Sequence, residues 1–531
     1  MDYLSLCLIC KDENDYLPEW LDYHILMGVD RFYIYDNESQ TSLRETLKEY
    51  IEGGWVVVVN IPGKAMQLYA YDHCLRTFGR NTFWMGFIDA DEFLVPKTAP
   101  GLKELLKDYE TYGGLAVNSI FFGSNGYQTR PAIGQVAAYT KSTHVIFLEN
   151  DLVKSIVQPG LALMPNSPHD FTFKEGTWCV NEDFLRVDGQ RFPNRTDKIQ
   201  LNHYYCRSES EIDLKLRRGN SGNIVWPRKR FDLVNQFATY EDTSILPNLN
   251  ELFQDKAIMA VARPQEAELL EKMATLARTR RTSPLEITRS ENSPLNFRTE
   301  ISDWMDLKAQ GMAVKDRGDF YQLSKILLSL IQMQPQYPHM YIDLSNNYLH
   351  IGNPEAAWQA LSQAWQLAPN TYAVHVGMAL YFLHIKNYSM AEKTCHVLLE
   401  IAPHNLTVLG FLTQTLIGQE RFEEALKVGV PVVELSAQTG ELPDGMGIFL
   451  IKRMADHLLG EKDYDGAVRL WKIGVEIQPG ETTTLLELAN SMLLTGDKAG
   501  AQEALTKAQA LSPQNESVRT LQKQVLFSPN R

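Results

Sequence analysis

Two aspartates two residues apart, Asp89 and Asp91 in the run Asp89-Ala90-Asp91-Glu92-Phe93-Leu94, offer the clearest chemistry in this chain. They follow the apolar stretch Phe83-Trp84-Met85-Gly86-Phe87-Ile88, which reads as a buried strand. Alternate residues of a strand face one side, so both carboxylates are expected to aim at one point where that strand leaves its sheet. Paired hard oxygen ligands suit Mg²⁺ or Mn²⁺, which keep positions open for phosphate oxygens. Open α/β sheets bind ligands at the carboxyl ends of their strands. The chemistry implied is the handling of a nucleotide diphosphate. Taken alone, an Asp-x-Asp pair can equally just close a strand; the surrounding elements decide.

Those elements alternate over residues 1–125. Continuous apolar runs at 3–10, 32–35, 55–59 and 83–88 predict four strands, and helical spacing predicts helices over 15–27, 42–51 and 65–78. Such β-α units predict a parallel sheet with helices on both faces. Polar clusters close three of the strands at one edge: Cys10-Lys11-Asp12-Glu13-Asn14, Tyr35-Asp36-Asn37-Glu38-Ser39 and the Asp89 run. Residues 126–240, richer in Gly, Pro, Asn and aromatics, read as an irregular extension of the same domain.

From about residue 300 only helix periodicity remains. Pro335, Pro369 and Pro403 are 34 residues apart, as are Pro479 and Pro513; Ala357, Ala391 and Ala425 keep the same step, as do Ala467 and Ala501. The longer interval from Ala425 to Ala467 places eight extra residues near 439–445. Tyr348, Gly352, Ala357, Ala364 and Pro369 fall where tetratricopeptide repeats place their aromatic, turn, small and terminal residues, which predicts a solenoid of about six repeats. The expected organisation is an α/β domain at 1–245, a helix and polar linker at 246–300, and the repeats at 301–531. The basic run Arg278-Thr279-Arg280-Arg281 in the linker reads as solvated.

Length and composition are consistent with this division. A chain of 531 residues with 44% apolar and 22% charged residues suits two or more soluble domains. A formal charge of −14 argues against nucleic-acid binding. The six cysteines form no disulfide framework, and Cys7-x-x-Cys10 lies inside an apolar strand, so buried thiols are expected. No leader pattern or long uncharged apolar stretch stands out, which gives the expectation of a cytoplasmic protein with at most peripheral membrane contact.

The block Lys11-Asp12-Glu13-x-x-Tyr16-Leu17-x-Glu19-Trp20-x-x-Tyr23-His24, with Tyr35-Asp36-Asn37-x-Ser39, Asp89-x-Asp91-Glu92-Phe93-Leu94 and Asn202-His203-Tyr204, resembles glycosyltransferase family 92 and its glycosyltransferase 2-like relatives. The resemblance covers about residues 3–222 and implies the GT-A nucleotide-sugar fold, a mixed Rossmann-like sheet. It implies that Lys11, Asp12 and Glu13 line the nucleotide pocket, with Asp36 and Asn37 near the base or ribose. Asp89 and Asp91 would hold Mn²⁺ or Mg²⁺ and the donor diphosphate, His203 completing the metal site with His169 as the rival ligand. Lys215 and Arg218 would neutralise the departing diphosphate. The resemblance also implies an inverting transfer needing a carboxylate base, for which Asp170, Glu175, Glu182 and Asp183 stand in the right interval, Asp170 being taken as the catalytic candidate. The donor implied is a UDP-hexose, the acceptor a surface or lipid-linked glycan, and the repeats would recruit a protein partner or the acceptor.

Plainer readings accompany these roles. Glu19, Trp20, Tyr23 and His24 on one helix read as fold-setting, and Lys215 and Arg218 lie on a charged stretch where a solvated face competes with function. A nucleotide-sugar-binding scaffold acting through its repeats is the rival class. A nucleotidyltransferase would show a Gly-rich loop where this chain has Lys11-Asp12-Glu13-Asn14.

Overall fold

The computed structural model describes residues 1–132, 134–218, 228–245, 300–439, 442 and 445–527. The expected helix at 249–277, the linker with its basic run, most of the insertion near 439–445 and the side chain of Arg218 lie outside the described residues. The chain divides into two compact units, residues 1–145 with 149–374, and residues 146–148 with 375–531.

The first unit is organised by a mixed sheet. Strands β1 (Asp2–Cys10), β2 (Arg31–Asp36), β3 (Val56–Asn60) and β4 (Thr82–Phe87) are parallel in the order β3-β2-β1-β4, with Cys10 opposite Asp36 and Cys7 opposite Phe87. Their carboxyl ends therefore share one edge, as the polar clusters predicted. Apolar residues of β1 alternate between two cores: Leu4, Leu6, Leu8 and Cys10 face one, Cys7 and Ile9 the other. All six cysteines are buried and unbridged. Helices α1 (Leu17–Leu26), α2 (Leu43–Thr46), α3 (Lys48–Glu52) and α4 (Gln67–Phe78) connect the parallel strands. The single helix expected over 42–51 is broken at Leu47, whose φ of −100° and ψ of 15° leave the helical range.

The four strands are parallel as expected, and beyond β4 the sheet becomes mixed because later chain returns into it. After β5 (Glu92–Pro96), β6 (Gly114–Phe121) and β7 (Lys141–Ser142), strand β8 (Val153–Val157) inserts between β4 and β6, antiparallel to both. The hairpin β9 (Ala162–Pro165) and β10 (Phe171–Phe173) follows, then β11 (Cys179–Val180) and β12 (Arg186–Val187) at the sheet's far edge. Strand β13 (Ile199–His203) pairs antiparallel with β5 and parallel with β6. Residues 126–240 thus supply central strands rather than an appendage. Short helices α5 (Leu102–Leu106) and α6 (Gln135–Ala138), then α7 (Glu209–Arg218) and α8 (Arg228–Phe237), complete this part.

Thirteen helices follow among the described residues. The first four are α9 (Glu300–Asp316), α10 (Phe320–Met333), α11 (Pro338–Ile351) and α12 (Pro354–Leu367). The second helices of successive pairs start at 320, 354, 388 and 422, a 34-residue step with a local cause. Asp319, Asn353 and Asn387 each cap the following helix by accepting from the backbone N–H three residues on, and Asp463 and Asp497 do so later in the chain. Gly352 adopts φ 79° to end α11. Ala357, Ala391, Ala425, Ala467 and Ala501 are fully buried, as close helix approach requires. No described helix is long and apolar enough to cross a membrane.

Candidate active site

The shared strand edge opens into a cavity of about 780 Å³, within the range of small-molecule sites. Its walls include Lys11, Glu13 and Asn37 from the ends of β1 and β2, Asp89, Asp91 and Glu92 after β4, and His169, His203 and Lys215 from later chain.

Asp89 and Asp91 do not sit on a strand. Glu92 N–H donates to the Asp89 carbonyl at 3.1 Å, and the Glu92 carboxylate accepts from Asp89 N–H at 2.8 Å, closing a turn between β4 and β5. The turn sends the two carboxylates to different partners, so the expectation that both aim at one point is corrected. Asp89 accepts from Gln67 at 3.0 Å and from the Lys154 ammonium at 2.8 Å. Asp91 accepts from Lys215 Nζ at 2.7 Å, and its other oxygen stands 3.8 Å from His203 Nε2.

The sheet register explains that meeting. His203 on β13 lies opposite Glu92 on β5, and the ladder continues as Tyr204 N–H donates to the Asp91 carbonyl at 2.8 Å. Burial would raise the Asp91 carboxyl, but Lys215, His203 and Arg207 outweigh it and hold it well below the carboxylate range. Burial pushes His203 down to about 3, so its ring is neutral and able to ligate at neutral pH. Burial opposes the charge on Lys154, yet Asp89 and Glu92 win and keep it cationic; burial also raises Glu92 against the pull of Lys154.

Asp91 and His203 are the described residues that could hold a divalent cation between them. With metal–ligand bonds of ~2.1 Å, two ligand atoms stand roughly 3.0 Å apart when adjacent and about 4.2 Å when opposite; 3.8 Å falls between. Among the described residues no group of three His, Cys, Asp or Glu side chains forms a cage. Asp89 has both oxygens engaged elsewhere. His169 lines the cavity, but its Nδ1 is committed to the Val153 carbonyl at 2.8 Å, and it is His203 that the register brings to Asp91.

Other expected residues are redistributed. Glu13 accepts from Arg207 at 2.6 Å, and Asn37 donates to the Ile61 and Gly63 carbonyls at 2.7 and 2.9 Å, both at the cavity. Asp12 and Asp36 do not line it. Asp12, with φ 58°, accepts from Gln40 N–H at 2.7 Å, and Asp36 accepts from Ser39 N–H at 3.0 Å, so both hold turns. Asp170, the candidate base, lies elsewhere. It is 6% exposed, outside this cavity, and its carboxylate is filled by the Ser167 hydroxyl, the Asn166 amide at 3.2 Å and the Tyr337 hydroxyl at 2.6 Å. Glu182 takes three backbone N–H groups, Asp197, Lys198 and Ile199, within 3.0 Å. Neither it nor Glu175 or Asp183 lines the cavity.

Two basic residues went unassigned in the sequence. Lys154 bridges Asp89 and Glu92, at 2.8 and 3.3 Å. Arg207, buried and at φ 53°, binds Glu13, reaches the Ala90 carbonyl at 3.4 Å and lies 3.8 Å over the Tyr16 ring. The Glu19-Trp20-x-x-Tyr23-His24 block is structural. Trp20 donates to the Glu92 carbonyl at 2.8 Å, Tyr23 to the Leu94 carbonyl at 2.9 Å, and His24 Nε2 accepts from Leu94 N–H at 3.3 Å. Glu19 accepts from Gln135 and Val136 N–H at the start of α6.

Residues 3–183 match the model of Glycosyltransferase family 92. Family 92 proteins of Ricinus communis and Oryza sativa subsp. japonica are 29% and 31% identical to this chain over 187 and 185 residues. Each match takes in 34% of this chain and 33% or 31% of the relative, so the chain spans about a third of the length of the curated relatives it matches. Among solved structures, that of Pseudomonas aeruginosa pilF aligns at 14% identity over 42% of this chain and 99% of that one, TM-score 0.33. The tetratricopeptide protein YrrB aligns at 18% over 37% and 97%, TM-score 0.28. The N-terminal part of the chain is thus similar to glycosyltransferase family 92, and it is followed by helical pairs at a 34-residue step.

Proposed function

We propose that the N-terminal domain transfers a hexose from a nucleotide-diphosphate donor, a UDP-sugar in the first instance, to a glycan or lipid-linked acceptor with inversion. The observation that carries this reading is the convergence of Asp91, His203 and Lys215 on one cavity at the carboxyl ends of the parallel strands. Asp91 and His203 would hold Mn²⁺ or Mg²⁺, which when bound supplies Lewis-acid stabilisation of charge on the leaving diphosphate. Lys215, beside Asp91, adds a fixed positive charge on the same side. Lys154 holds Asp89 and Glu92 in place and keeps the turn closed. Glu13 and Asn37, tied to Arg207 and to the backbone after β3, form the wall against which the nucleoside would rest. The base that takes the acceptor proton belongs among the carboxylates lining the cavity outside the Asp89–Glu92 turn; in the described residues these are Glu13, Glu38 and Glu149. The later helical pairs would serve a protein partner or present the acceptor.

The test is Mn²⁺-dependent binding and hydrolysis across UDP-, GDP- and CMP-sugars, comparing wild type with Asp91→Ala and His203→Ala. Metal-dependent turnover of one donor, lost in both variants, is expected. Turnover that survives Asp91→Ala, or no donor binding in the presence of metal, refutes the reading.

A further inference from the structure

The loop that places His169 in the cavity wall is built partly by helices of the repeat region. Asp170 next to it is a buried carboxylate, which is costly unless donors satisfy it. One of its three donors is the Tyr337 hydroxyl, 167 positions along the chain at the start of α11. The Ser167 hydroxyl links the two neighbours: it donates to Asp170 and accepts from His169 N–H at 3.1 Å. The His169 carbonyl accepts from the Ser155 hydroxyl at 2.7 Å, and its ring donates to the Val153 carbonyl. Val153 and Ser155 flank Lys154, which holds Asp89. Two more contacts brace the same loop: the Thr172 hydroxyl donates to Gln334, and Lys308 Nζ donates to the Asn166 carbonyl at 2.6 Å. Plain apolar packing would not need a polar chain that runs from one buried tyrosine to the cavity wall.

We infer that helices α9–α11 are a positioning element of the cavity, with Tyr337 setting the His169 loop and strand β8 through Asp170. The functional side of this inference rests on the reading of the cavity as a donor site. Tyr337 is a positioning residue and touches no reacting group.

The experiment uses the full chain and two readouts. In hydrogen exchange, Tyr337→Phe is expected to speed exchange of amides at 153–157 and 166–172 while leaving 388–439 unchanged. In UDP binding with Mn²⁺, it is expected to cost about tenfold, the scale of one lost buried hydrogen bond, but less than about twofold in a His169→Gln background. Lys308→Met, which removes the bond to Asn166 and keeps the side-chain stem, is expected to act in the same direction and serves if Tyr337→Phe does not fold. Unchanged exchange in both segments, or binding losses that simply add, overturns the inference. A wild type that binds no nucleotide would sink the donor-site reading, while the exchange measurement still judges the positioning.

Discussion

Removing Lys154 isolates the electrostatics of the Asp89–Glu92 turn. Its ammonium is 1% exposed and stands 2.8 Å from Asp89 and 3.3 Å from Glu92. With an effective dielectric of ~20, the gross attractions are roughly 6 and 5 kcal/mol. Asp89 makes the shorter contact and is the leading charge on Lys154, although it is one-third exposed and partly screened by water; burial lifts the Glu92 carboxyl to about 8, so it carries little charge near neutral pH. Desolvation offsets much of either attraction. Breaking a buried pair nevertheless costs about 3–5 kcal/mol, because the abandoned charge stays buried. Lys154→Met keeps the stem and is expected to lower the urea-unfolding free energy of the first unit by that amount. Asp89→Asn added to it should recover about half, since the stranded carboxylate is then neutral. A loss below about 1 kcal/mol, or a double variant no better than the single one, would show that the lysine is not what makes this turn tolerable.

Two further outcomes follow from the structure. His24 is fully buried with its folded pKa pushed down to about 3 from the ordinary 6.5, so the unfolded chain takes up the proton first as pH falls. Stability is therefore present above 6.5 and lost on descending towards 3, by up to ~1.4 kcal/mol per pH unit. Relative to wild type, His24→Gln should show a shallower fall of urea midpoint between pH 6.5 and 5; an identical slope would count against the burial argument. Asp463→Ala removes the cap bond to Gly466 N–H and should cost ~1 kcal/mol in the second unit's denaturation, whereas Asp463→Asn should cost little.

The strand edge and the helical repeats were legible because their signals are local. Polar residues directly follow apolar strands, and 34-residue steps bring back the caps Asp319, Asn353 and Asn387 and the buried Ala357, Ala391 and Ala425. What escaped was set by residues far apart in sequence. Strand β8 enters the sheet by pairing with β4 and β6, which no window around residues 153–157 displays. Asp170 resembles a free base until Tyr337 arrives to fill it. Asp12 and Asp36 carry the same carboxylates whether they meet a ligand or close a turn, and the φ of 58° at Asp12 decides for the turn. The motif Asn202-His203 was readable as a ligand candidate, but its place beside Asp91 is set by strand register.

Helix α1 grips β5 through main-chain atoms as well as through packing: the indole, phenol and imidazole of Trp20, Tyr23 and His24 meet the carbonyls of Glu92 and Leu94 and the amide of Leu94, and Tyr23 and His24 also pack on the Phe93 ring. The hydrogen-bonded part of this grip is indifferent to the side chains of the strand it holds. With Phe93 kept as the packing contact, those bonds do not depend on which side chains the strand sends towards the cavity. The helix works as a fixture, and the strand it holds is the tool.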